Sequence, residues 1–147
     1  MASPVGAAIA HNPDASGVLL NIHNLDAAYT VLQSDSHKVF MLSATAADYI
    51  ITLPVAANLQ KGWSCKFVVL EDTPSNVITI DAGSAIIDFV QKDPGADASN
   101  STSGTAKQLI VIQEAATQGD VINLFTDGVT YYGEVLSGIN DAIDHTA

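Results

Sequence analysis

The chain has 147 residues, 48% of them hydrophobic and 14% charged, with five lysines, no arginine and sixteen acids for a net charge of −11. That length suits a single domain, and that balance excludes generic disorder, which needs low hydrophobicity and high charge density. Nucleic acid and anionic membrane surfaces are excluded as expected partners, because the cations that neutralise phosphates are scarce, and no apolar run approaches the ~18 residues needed to cross a bilayer.

The first segment, residues 1–16, carries small apolar residues with no basic stretch ahead of them, so it reads as a flexible N-terminal arm and not as a signal peptide. A single β-domain is expected over 17–136, followed by a C-terminal tail over 137–147. Short apolar runs follow the arm at 17–22, 28–32, 38–42, 49–53, 65–71, 77–81, 86–90, 108–113, 120–126 and 129–136. They are rich in Val, Ile, Thr, Tyr and Phe, which suit a pleated and half-buried surface. Turn-forming residues separate them, among them Ser34-Asp35-Ser36, Ala82-Gly83-Ser84 and Asp127-Gly128. Many short strands at this spacing predict an all-β sandwich or barrel. Pro54 to Lys61, closed by Gly62, is the one expected helix, with proline at its start and glycine past its end. The polar stretch 93–104 is expected to be a mobile loop.

Asp127-Gly128 is a type I′ turn signal, because both positions tolerate positive φ. A two-residue turn there sets Thr126 opposite Val129 and Leu124 opposite Tyr131. One hairpin face, with Ile122, Leu124, Val129, Tyr131 and Val135, is then the core face. The other carries Phe125 and Tyr132 as diagonal neighbours. Two aromatics on an outer face are covered either by a loop or arm of the same subunit, or by another subunit or partner. Leu109 to Ile112 and Phe67 to Leu70 are apolar on both pleat faces, as in central strands covered on both sides. A neighbouring copy is the expected cover, and with it a homo-oligomer.

No catalytic, cofactor or metal site assembles from the sequence. Cys65, alone and within a strand, reads as a small buried hydrophobe with no disulfide partner. His11, His23, His37 and His145 lack metal-ligand spacing and read as solvated surface groups. Asp35-Ser36-His37 holds the three types of a hydrolytic triad, but consecutive residues point apart. Glu71 and Asp72 are adjacent, not opposed, and Asp88, Asp120 and Glu134 do not define a common cleft. Asp93 and Asp97 lack the calcium-loop pattern, and Asn100-Ser101-Thr102 is a formal glycosylation acceptor.

Five segments taken together carry a resemblance. They are Ser34-Asp35-Ser36-His37-Lys38-Val39-Phe40, Tyr49-Ile50-Ile51-Thr52-Leu53-Pro54, Gly62 with Lys66-Phe67-Val68-Val69, Val77-Ile78-Thr79-Ile80-Asp81-Ala82-Gly83, and Asp127-Gly128-Val129-Thr130-Tyr131-Tyr132. Their order resembles that of small structural proteins of tailed bacteriophages, in particular capsid decoration (cement) proteins. The resemblance covers 29–136 and departs where related chains place Trp-Tyr after the Asp-Gly turn. It implies an antiparallel β-sandwich, jelly-roll-like, of about eight to ten strands. It also implies assembly, often as a trimer, on the major capsid protein at the outer surface of the virion. A tail-fibre or receptor-binding β-module is the alternative, and an enzyme or cellular β-domain a third reading.

Overall fold

The computed structural model describes residues 21–44, 46–72, 74–92 and 101–146, with the backbone alone for 101–106. The expected arm at 1–16 and residues 93–100 of the expected loop lie outside the described residues. Twelve strands are described: β1 (Ile22–Leu25), β2 (Tyr29–Thr30), β3 (Val39–Leu42), β4 (Tyr49–Thr52), β5 (Ser64–Val69), β6 (Ile78–Asp81), β7 (Ile87–Lys92), β8 (Ser101–Lys107), β9 (Leu109–Ile112), β10 (Val121–Thr126), β11 (Tyr131–Leu136) and β12 (Ile143–Thr146). They form a seven-stranded sheet, β1-β3-β5-β10-β11-β7-β8, and a five-stranded sheet, β12-β9-β6-β4-β2.

The winding departs from the antiparallel expectation. From β1 to β6 the chain crosses to the other sheet at every strand, and each strand lies parallel to the one two before it. Parallel neighbours need a long crossover, and here the crossover is a strand of the opposite sheet. The antiparallel pairs are β5 with β10, β10 with β11, β7 with β8, β6 with β9 and β9 with β12. Both sheets are therefore mixed.

Register in the coil is set by stacked side chains. His23, Phe40 and Phe67 are successive partners across β1, β3 and β5, with the two phenylalanine rings stacked 5.3 Å apart. Tyr29, Ile51, Ile80 and Ile110 form the corresponding row of the second sheet. The inner faces of both sheets belong to one buried cluster, in which Phe40, Ile51, Ile78, Ile80, Ile110 and Ile112 have no exposure. At roughly 25 cal/mol per Å² of apolar surface removed from water, this shared cluster is the main stabilising term.

Three elements differ from their expected form. The helix of 54–61 is a single 3-10 turn, Ala56–Asn58, after which Gly62 takes φ +87° and turns the chain into β5. Ser101 to Lys107, expected within or beside a loop, is the edge strand β8, paired with β7. Residues of the expected tail form β12 on the edge of the second sheet, with Ala142 and Ile143 buried. The approach to β12 is held by the buried Asp120, whose carboxylate accepts from the Thr117 N–H and hydroxyl, the Ser137 hydroxyl and the Gly138 N–H at 2.7–3.1 Å.

Candidate interaction face

Strand alternation sends one side chain in two to the outer face of the seven-stranded sheet. Across β1, β3, β5, β10, β11 and β7 the register aligns Ile22, Val39, Lys66, Asn123, Glu134 and Val90 in one row. A second row holds Met41, Val68, Val121 and Leu136, and a third Ser64, Phe125, Tyr132 and Asp88. Phe125 is 51% exposed, Val90 47% and Leu136 41%, while Val39, Met41, Val68 and Val121 are half-buried. Within one copy, the strands expected to be covered on both sides, β5 and β9, are fully buried on their inner side, while Val68, Leu109 and Val111 on the outer side are half-buried.

Phe125 and Tyr132 meet on this face as direct cross-strand partners, their rings stacked 5.2 Å apart. The expected diagonal contact assumed a two-residue turn. Instead Thr126 pairs with Tyr131, and four residues make the connection. The cause is local chemistry: the Asp127 carboxylate accepts from the Val129 and Thr130 N–H groups, and the Thr126 hydroxyl bonds the Thr130 carbonyl and the Gly128 N–H. Hydrogen bonds to the ionised form, from Thr130 first and then Val129, hold the Asp127 carboxyl below its ordinary value. The shift is by two residues, so the faces keep their sides. Ile122, Leu124, Tyr131 and Val135 are buried as expected, but Val129 is at the turn and 74% exposed. Gly133 lies between Leu124 and Phe89, where a Cβ would come within 3.1 Å and 3.3 Å of their side chains.

At one end of the face two depressions adjoin, one an open cleft of about 660 Å³ and the other of about 300 Å³. His37 lines both, and Lys38, Lys61 and Lys66, three of the five lysines, line one or the other. The loop that carries His37 is organised by Asp35, whose buried carboxylate accepts from Lys38 Nζ at 2.7 Å, the Leu32 N–H at 2.8 Å and the Tyr29 hydroxyl at 3.0 Å. Burial alone would raise its pKa; the bonds from Lys38, Leu32 and Tyr29 outweigh that and hold the carboxyl below its ordinary value. Asp35 is thus committed to these donors. His37 takes φ +67°, a strained conformation for a residue with a Cβ, and its Nδ1 lies 2.9 Å from the Ser64 hydroxyl. The consecutive Asp35-Ser36-His37 therefore does not act as a unit.

The other sequence candidates are dispersed. Cys65 is buried, and burial pushes its thiol pKa up, away from a reactive thiolate. Two of the histidines read as solvated are packed. His23 lies half-buried against Tyr29 and Phe40, and His145 stacks on Phe89, its Nε2 buried without a partner among the described residues. Burial, and then the charge of Lys107, pull the His145 pKa down to about 4. These packings escaped the sequence reading because polar residues alternate with single apolar ones around both. Glu71 accepts from the Ala44 N–H, Asp72 from the Gln118 N–H, and Glu134 from the Asn123 amide. Asp93, Asp97, Asn100 and His11 lie outside the described residues. Among the described residues no three His, Cys, Asp or Glu side chains gather as a metal-binding group, and no helix is long and apolar enough to cross a membrane. Comparison with protein-family models, curated proteins and solved structures finds no match to this chain.

Proposed function

We propose that this chain is a structural protein that works by assembly, and that its setting is the outer surface of a tailed-phage capsid. The observation that carries the assembly reading is the outer face of the seven-stranded sheet. Phe125, Val90 and Leu136 are exposed there beside a row of half-buried aliphatic residues. Apolar side chains gathered on one sheet face, on either side of the polar Lys66-Asn123-Glu134 row, support a place where another surface packs. The capsid setting comes from the resemblance described above. In this reading the two sheets act as a sandwich, although a coil of parallel strands takes the place of jelly-roll strand exchange. Several copies, a trimer by the same resemblance, bind the major capsid protein and bridge its capsomers. Modest contacts made at several lattice points at once then sum to near-permanent attachment.

The tail-fibre or receptor-binding alternative is favoured by one observation. The first turn of the coil, β1 with β2, leaves one edge of each strand without a neighbour among the described residues. Stacked repeats extend along an axis through such edges. Both readings are tested by an electron-microscopy map of virions that carry the chain, together with the chain's copy number per particle. Many copies spread over the shell support decoration, and a few at the tail support the alternative. Absence from the particle overturns both. Deletion of residues 1–16, followed by binding to purified shells, tests the arm; undiminished occupancy removes it from the mechanism.

A further inference from the structure

We propose that the outer face of the seven-stranded sheet joins two copies of this chain about a two-fold axis that runs parallel to β10 and over Asn123. The inference rests on the assembly reading but sets a two-fold pair in place of the trimer implied by the resemblance, and it names the face, the symmetry and the paired groups.

The register carries the argument. In one row the face reads Val39, Lys66, Asn123, Glu134, Val90: apolar, cation, amide, carboxylate, apolar. A two-fold axis along the central strand exchanges the strands on either side of it. Lys66 of each copy then lies over Glu134 of the other, and Val39 over Val90. In the neighbouring rows Val68 lies over Leu136 and Phe125 over its own counterpart. A displacement by one strand in either direction loses both ion pairs and sets a charge over Val90 or Val39. In the chosen alignment both pairs form, and Lys92 at the edge of the patch lies over Met41. The pattern is thus complementary to itself in one alignment, as an isologous contact requires. The same axis keeps the facing strands nearly aligned, the usual way that two twisted sheets pack.

Net charge points to the same occupant. A chain of net charge −11 repels its own copies over most of its surface. On this face Lys66 and Lys92 stand against Asp88 and Glu134, two charges of each sign. Five strands about 4.8 Å apart, four of them six residues long and β3 four, give a patch roughly 20 Å square. Its accessible area approaches the low end of a specific protein contact, which suits a reversible pair.

Sedimentation equilibrium of the full chain, from about 1 µM to several hundred µM, is the test. The expected result is a monomer–dimer equilibrium. Lys66→Glu and Glu134→Lys each set like charges opposite one another twice and are expected to weaken the dimer at least about tenfold. The double variant restores the pairs in reverse and is expected to return to within about threefold of the parent. Phe125→Ser weakens the dimer without changing charge, and far-UV circular dichroism of every variant reports folding. A monomer at all concentrations, a trimer without a dimer, or a folded double variant as weak as the singles overturns the proposal. A chain that coats purified shells yet stays monomeric overturns this face alone. A dimer that binds no shell keeps the face and removes the capsid setting.

Discussion

Residues 22–81 and residues 109–146 reach one core by opposite means. In the first region every strand changes sheet, and each sheet grows by parallel addition, so no turn fixes a pairing. Register there is held by what stacks on what: Phe40 on Phe67, Ile51 on Ile80. In the second region β10 and β11 are a hairpin, and its register is set by four residues and the Asp127 carboxylate. Parallel pairing therefore concentrates its specificity in the core, and antiparallel pairing concentrates it in the turn. Damage to a stacked ring is expected to be global, and damage to the turn local.

The largest expected effect is Phe67→Ala. Phe67 is 1% exposed and central to the stacked row. Truncation is expected to cost about 3–5 kcal/mol, measured by urea unfolding. Because the cluster is shared between the regions, tryptophan fluorescence from Trp63 and amide exchange in β10–β11 should report the same transition. Separate transitions would show that the coil and the hairpin fold as independent units, and the comparison would fail.

Asp35 tests the loop that joins the first two turns of the coil. Asp35→Ala leaves the Leu32 N–H, the Tyr29 hydroxyl and Lys38 without their shared acceptor, at an expected cost of about 2–3 kcal/mol. The folded carboxyl titrates below its ordinary value near 3.8. Its contribution is therefore full above that value and is lost as pH falls through the lower folded one. Acid unfolding of the parent should steepen below about pH 4. The variant should lack that component, and a parallel pH profile would remove the carboxylate from the account.

The contrast between the regions also explains which parts of the fold were legible. Runs of β-branched and aromatic residues marked nine of the strands, and the opposite sides of Leu124 and Phe125 could be read from alternation alone. The expected run 17–22 reaches β1 only at Ile22, and its residues 17–20 lie outside the described residues. Parallel winding could not be read. The aligned partners His23, Phe40 and Phe67 are 17 and 27 residues apart, and Tyr29, Ile51 and Ile80 are 22 and 29 apart, so no repeat length signals the coil. β8 has no apolar residue larger than Ala106, and β12 offers Ile143 as its one aliphatic residue, so neither shows the apolar pattern of a strand. Phe125 and Tyr132 were legible as an outer pair. Their direct stacking was not, because it depends on where Asp127 places two hydrogen bonds.

β12 closes the core from the end of the chain, and His145 makes that closure sensitive to pH. The folded ring titrates near 4 and the unfolded one near 6.5. Between those values the unfolded state binds more protons, so stability is full above about pH 6.5 and falls as pH drops towards 4. The expected loss is roughly 2 kcal/mol once the ring's solvent contact is discounted. Thermal unfolding at pH 7 and pH 4.5 checks it, with His145→Phe expected to lose less over that interval. Equal losses would show that protonation of His145 does not govern the closing strand.

The smallest expected effect falls on the turn, where the comparison is sharpest. Gly128 has φ +92°, and a Cβ there would meet the Leu59 carbonyl oxygen at 3.5 Å and Lys61 Cγ at 3.8 Å, both ordinary contacts. Space is not the obstacle to alanine; the left-handed backbone is, at a cost of about 1 kcal/mol. Because the turn governs only the β10–β11 register, the cost should appear as faster amide exchange at 127–131 and an unchanged rate across β3 and β5. A Gly128→Ala variant that loosens the coil as much as the hairpin would show that the turn sets more than its own register. The division between core-held and turn-held pairing would then be wrong.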